Sequence, residues 1–90
     1  MKILKYPLAV GKKNAIAIQG VMPTAFQPRF VEDQHGIPTL WLGVDDKSPH
    51  TSMINIHVVG TGHDYSPDWA YLGSCKSGIF VWHIFFEEKR

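Results

Sequence analysis

The chain has very little cysteine: Cys75 stands alone among 90 residues. No intramolecular disulfide can form, so the fold cannot be a disulfide scaffold, and a reducing cytoplasm is the compartment this composition fits. Long apolar runs are also missing. Nothing approaches the roughly 18 uninterrupted apolar residues of a membrane helix, and the first residues lack the basic-then-apolar order of a signal peptide. The expectation is a soluble, intracellular protein without a membrane partner. Charge of one sign is scarce as well, with nine Lys and Arg against eight Asp and Glu, a formal net charge of +1. No general field exists to capture duplex nucleic acid through many phosphate contacts, which leaves room only for a small anion in one local pocket. There is no internal repeat and no low-complexity segment.

Helical periodicity is equally scarce, and what replaces it is alternation. Apolar residues recur at period two, with many β-branched and aromatic types, so strands are predicted. Lys2 to Val10 reads as a first strand, kept at a sheet edge by Pro7. Gly11 to Asn14 turns into Ala15–Gln19, and a third strand runs from Arg29 to Asp33. His35-Gly36 predicts a hairpin turn into Ile37–Asp45, with Leu40, Leu42 and Val44 on one face and Trp41 and Gly43 on the other. After a loop from Asp45 to Ser52, Met53–Val59 points Ile54, Ile56 and Val58 inward, leaving Asn55 and His57 on the opposite face. Ser66-Pro67 opens a short helical turn to Trp69. Tyr71–Lys76 then pairs with Ile79–Phe86 across a Ser77-Gly78 turn, and Glu87 to Arg90 forms a solvated tail. The last strand is apolar on both faces, the mark of a central or intersubunit strand. The whole chain, 1–90, is thus one all-β domain: a small antiparallel sheet or sandwich of about seven strands with one helical turn near Ser66–Trp69. A core this small favours a homodimer or higher homo-oligomer, and Trp41, Trp82 and the phenylalanines are the bulky side chains available to fill it.

Chemistry concentrates after the best strand, in Gly60-Thr61-Gly62-His63-Asp64-Tyr65. Glycines let backbone N–H groups approach an anion, while Thr61, His63 and Tyr65 offer hydrogen bonds to a phosphate or base edge. The same glycines are also what any bend between a strand and a turn requires. No lysine or arginine lies within the motif, and the Gly-Lys-Ser/Thr ending of a P-loop is absent. Charge would have to arrive from other strands, Arg29 or Lys76, and stacking surfaces from Tyr65, Trp69 and Tyr71. The five histidines show none of the close ligand pairs of a zinc signature, so no metal is assigned, and no cofactor. Lys76 beside Cys75 could lower the thiol pKa, but neighbours in a strand face opposite ways, and a lone strand cysteine is ordinarily a small buried hydrophobe. With no acid/base or nucleophile–base pair standing out, no catalytic residue is assigned and the chain reads as non-enzymatic.

The opening Met1-Lys2-Ile3-Leu4-Lys5-Tyr6-Pro7-Leu8, the central Gly36-Ile37-Pro38-Thr39-Leu40-Trp41 with Val44-Asp45, the Val59-to-His63 loop, and Tyr71-Leu72-Gly73-Ser74 before Phe80-Val81-Trp82-His83-Ile84-Phe85 follow one another in that order. In this the chain resembles a family of small, mostly uncharacterised phage-encoded proteins. Such proteins look like the anti-defence sponges that sequester cyclic nucleotide signals of bacterial immunity, including those of CBASS systems. The resemblance implies binding without turnover in the cytoplasm of an infected bacterial host, commonly in a pocket between subunits, and it supplies no ligand residue.

Three functions follow. A sponge would hold a cyclic di- or trinucleotide, its phosphate on Thr61 and the backbone N–H groups of Gly60 and Gly62, assisted by His63, Arg29 and Lys76, with Tyr65 or Trp69 stacked on a base. A protein-interaction or virion accessory module would use the two-sided apolar strand Ile79–Phe86 and the edge segment at Pro7. A metal-assisted phosphodiesterase would need His57, His63 and Asp64 to converge.

Overall fold

The computed structural model describes residues 1–22 and 26–87. Alternation is realised as seven strands in chain order: β1 Lys2–Pro7, β2 Lys13–Gln19, β3 Gln27–Gln34, β4 Ile37–Val44, β5 Thr51–Gly60, β6 Ala70–Ser77 and β7 Phe80–Glu87. They form two antiparallel sheets, one ordered β1-β4-β3 and the other β2-β5-β7-β6. Among the described residues there is no helix, and so none long and apolar enough to cross a membrane. Ser66–Trp69 closes as a single turn, with Trp69 N–H donating to Ser66 C=O at 3.1 Å and Asp68 N–H to Ser66 Oγ at 3.2 Å. The serine caps as its sequence predicts, but the chain enters β6 at Ala70 before a helix can propagate.

The core lies between the sheets and is aliphatic. Leu40, Leu42 and Val44 of β4 meet Ile54, Ile56 and Val58 of β5, Ile18 of β2 and Ile84 of β7, all buried. Strand alternation places each of these on an inner face, as the period-two pattern requires. The aromatic side chains predicted as core filling are divided, with Phe26 joining two others against the core. Trp82 and Phe86 pack only partly buried against the aliphatic centre, Phe30 and Phe80 are exposed, and Phe85 is buried on the outer side of its sheet, as its alternation with Ile84 and Phe86 demands.

The strand ends show where backbone chemistry overrides the apolar pattern. β1 stops at Pro7 rather than Val10, and Leu8 turns inward, its N–H donating to Pro38 C=O at 2.9 Å. Pro7 and Pro28 both lie on edge strands, where a missing N–H disrupts no ladder. β3 begins at Gln27, two residues before its predicted start, and bulges between Pro28 and Phe30, so Arg29 has no partner on β4. β5 likewise begins early, at Thr51, taking in the last residues predicted as loop. His35 and Gly36 form the predicted two-residue hairpin, with φ of 55° and 85°. The β6–β7 hairpin is displaced by one position: Ser77 pairs with Phe80, so Gly78 (φ 61°) and Ile79 make the turn. Ile79 is therefore not a strand residue, and its side chain is 90% exposed at the tip. Glu87, predicted as tail, belongs to β7; positions 88–90 of that tail, like positions 23–25, lie outside the described residues.

Because the interior is a close-packed aliphatic layer, Ile56→Ala is expected to lower the unfolding free energy by about 2–5 kcal/mol. Ile79→Ser at the exposed tip should change it by less than about 0.5 kcal/mol. Urea denaturation followed by tryptophan fluorescence checks both.

Candidate functional site

The outer face of the four-stranded sheet carries a row set by strand register. Lys13 of β2 pairs with His57 of β5, His57 with Phe85 of β7, and Phe85 with Tyr71 of β6. One step along, Val59 pairs with His83 and His83 with Ser74. Residues that pair across antiparallel strands share a face, so four strands separated in sequence converge on one surface.

The connection between β5 and β6 folds back over this row and is held there by rings. Trp69 lies flat on His57, centroids 3.7 Å apart and planes 7° from parallel, while His57 Nε2 meets the Glu87 carboxylate at 2.6 Å. Tyr65 stacks on Phe85 at 4.9 Å, and Tyr71 meets the same phenyl ring edge-on at 5.3 Å. Beneath the connection a cleft of about 640 Å³ remains open. Tyr65, Trp69, Tyr71 and Phe85 supply its rings, and Thr61, His63 and His83 its polar groups. His83 is held between two hydroxyls, Nε2 with Thr61 Oγ1 at 3.0 Å and Nδ1 with Tyr71 Oη at 3.2 Å. A neutral imidazole donates from one nitrogen and accepts at the other, so in that form the two hydroxyls take opposite roles.

Both glycines of the motif serve local geometry. Gly60 is the last residue of β5, paired with Trp82; a Cβ there would stand 3.1 Å from Trp82 Cζ3 and 3.4 Å from His63 Nδ1. Gly62 has φ of 90°, which turns the chain within a segment closed by His63 N–H donating to Gly60 C=O at 3.1 Å. The pair therefore sets how closely the connection approaches the sheet.

Of the residues singled out from sequence, Gly60, Thr61, Gly62, His63, Tyr65 and Trp69 all line the cleft. Arg29 and Lys76 do not. Arg29 sits at the β3 bulge, its Nη2 donating to Gln27 Oε1 at 2.6 Å, and lines a separate groove of about 320 Å³ on the β3 side of Tyr71. Lys76 pairs with Val81 nearer the hairpin tip and is exposed. His83 and Phe85 were missed as site residues, although their outward alternation in β7 was legible. His57 takes no part in a metal cluster: it lies beneath Trp69, and among the described residues no three His, Cys, Asp or Glu side chains gather as ligands.

Cys75 is buried on the inner side of β6. Burial pushes its thiol pKa up, with the carboxylates of Asp33 and Glu32 adding to the effect, so the lowering considered for a neighbouring Lys76 is reversed. The thiolate is the reactive form. Alkylation of the folded protein by iodoacetamide near neutral pH is expected to be many times slower than in urea, and to accelerate only above the pH range of a free thiol.

Fold and site together define a small antiparallel β-sandwich with an aromatic, histidine-lined cleft on the outside of its larger sheet. Over residues 1–90 the chain matches the family described as a domain of unknown function, DUF7352, and belongs to it. No curated protein and no solved structure matches it.

Proposed function

We propose that this protein binds and sequesters a cyclic nucleotide signal without turning it over, in the manner of the phage anti-CBASS sponges that its sequence resembles, within the cytoplasm of an infected bacterium. The observation that carries the reading is the cleft: about 640 Å³, walled by four aromatic rings, with imidazole and hydroxyl groups among them. A flat base has ring faces to stack on, and its edge has Thr61, His63 and His83 within the same lining. Thr61 and His83 also form a hydroxyl–imidazole pair, the geometry from which nucleophiles are made. The third member here is the phenol of Tyr71, which lacks the negative charge that a carboxylate would bring to an imidazolium. That favours holding over cleaving.

A second reading rests on the β6–β7 hairpin. Ile79, Phe80 and Val81 are 90%, 56% and 36% exposed at its tip, which suits a protein-interaction or virion accessory module. A contact of this kind would also serve the homo-oligomer that the chain's small size favours.

Calorimetry against a panel of cyclic di- and trinucleotides should give heat for at least one member, recovered chemically intact after denaturing the protein. Tyr65→Ala, which removes an exposed stacking ring, should weaken that binding about 5- to 150-fold, the equivalent of roughly 1–3 kcal/mol per stacked base. A panel without heat, or a ligand recovered as its hydrolysis product, overturns sequestration. If the panel is silent while Ile79→Ser abolishes self-association in sedimentation, the interaction module takes its place.

A further inference from the structure

We infer that the phosphate-binding half of this site lies on the opposite side of His63 from the aromatic cleft, in a hollow flanked by Lys12 and Lys13. The inference rests on the nucleotide reading above and assigns its anion subsite to residues other than Arg29 and Lys76. A second hollow of about 300 Å³ adjoins the cleft, lined by Gly11, Lys12, Lys13, His57 and Asp64, and it shares Val59 and His63 with the cleft. The two spaces are therefore neighbours across one imidazole. One carries the rings and the other the cations, which are the two recognition elements a nucleotide requires.

The lysines are placed by the fold and not merely by sequence. Asn14 clamps the turn that bears them: its Oδ1 accepts from Ala9 N–H at 2.8 Å, and its Nδ2 donates to Ala9 C=O at 3.0 Å and to Ile56 C=O at 3.3 Å. The last of these bonds ties the turn to β5 directly. Lys13 then stands opposite His57 in the ladder, at the end of the row that continues through Phe85 to Tyr71. Among the described residues the ion pairs are those of Met1 and Lys2 with Asp46 and of His57 with Glu87, and no described carboxylate forms an ion pair with Lys12 or Lys13. Asp64 is the one acidic group in the lining, and it opposes an anion. Lys12 and Lys13 outnumber it, and the single negative charge of one phosphodiester would restore the balance.

The test follows backbone amide resonances of the intact chain during two titrations, with inorganic pyrophosphate and with the tightest-binding cyclic nucleotide of the panel. Pyrophosphate should shift Gly11 to Lys13 and His63–Asp64 and leave Tyr71 and Phe85 unmoved; the cyclic nucleotide should shift both sets. A Lys12→Gln, Lys13→Gln double variant, whose retained fold is read from the same spectra, should lose the pyrophosphate shifts. It should bind the nucleotide about tenfold more weakly, and a Lys12→Arg, Lys13→Arg variant should restore binding. Pyrophosphate shifts centred on Arg29 or Lys76, or equal in the double variant, overturn the subsite. So does a nucleotide that fills the aromatic cleft with undiminished affinity in the double variant, in which case the sequestration reading stands alone. Pyrophosphate bound at the lysines with no nucleotide in the cleft supports the anion site and removes the nucleotide reading.

Discussion

The stack of Trp69 on His57 is the contact on which the candidate site depends. A nine-residue stretch between β5 and β6, Thr61 to Trp69, has no sheet partner of its own. What orders it over the sheet is ring packing at its far end, where Trp69 covers His57 and Tyr65 covers Phe85. His57 is in turn fixed from its edge by Glu87, so one imidazole joins the terminus of β7, the middle of β5 and the connection above them. Aromatic pairs add roughly 0.5–1.5 kcal/mol beyond the area they bury. Two such pairs are of the size needed to hold a short connection in place, and too small to contribute much to the stability of the whole domain.

The division of labour between aliphatic and aromatic residues follows from the same geometry. β-Branched side chains and leucine fill the narrow space between the sheets, where Ile54, Ile56, Ile84 and Leu42 interlock. The rings of Phe85 and Tyr71 project from the other face of β7 and β6, and need cover from outside. The connection supplies that cover incompletely, and the shortfall is the cleft.

Much of the fold was legible in the period-two pattern. Inward positions of β4 and β5, the His35-Gly36 turn and the edge placement of Pro7 all follow from side-chain alternation and backbone chemistry. Errors arise where a single residue decides. The β6–β7 turn slid by one because Gly78 satisfies the positive φ while Ile79, apolar and inviting as a strand residue, is carried to the tip. Arg29 was read as a regular strand residue, and the bulge at Pro28 turned it into one without a ladder partner. At the candidate site, local sequence sufficed for the glycine segment and the rings that follow it. It could not supply the cations, because Lys12 and Lys13 lie about fifty positions upstream of His63 and reach its neighbourhood only through the β2–β5 register. That register is a tertiary fact, in which Ile16 pairs with Ile54 while Ile18 and Ile54 are buried in the core, and no motif spacing announces it.

His63 forms part of the wall of both hollows, and the missing Cβ at Gly60 leaves room for its ring and that of Trp82 beside the end of β5. Through this shared partition the two spaces are mechanically linked: a tilt of one imidazole that enlarges either must narrow the other. Variation along the lineage can therefore retune the lysine-bearing side or the ring-bearing side separately only through positions that touch one space alone. A change at 63 alters both together.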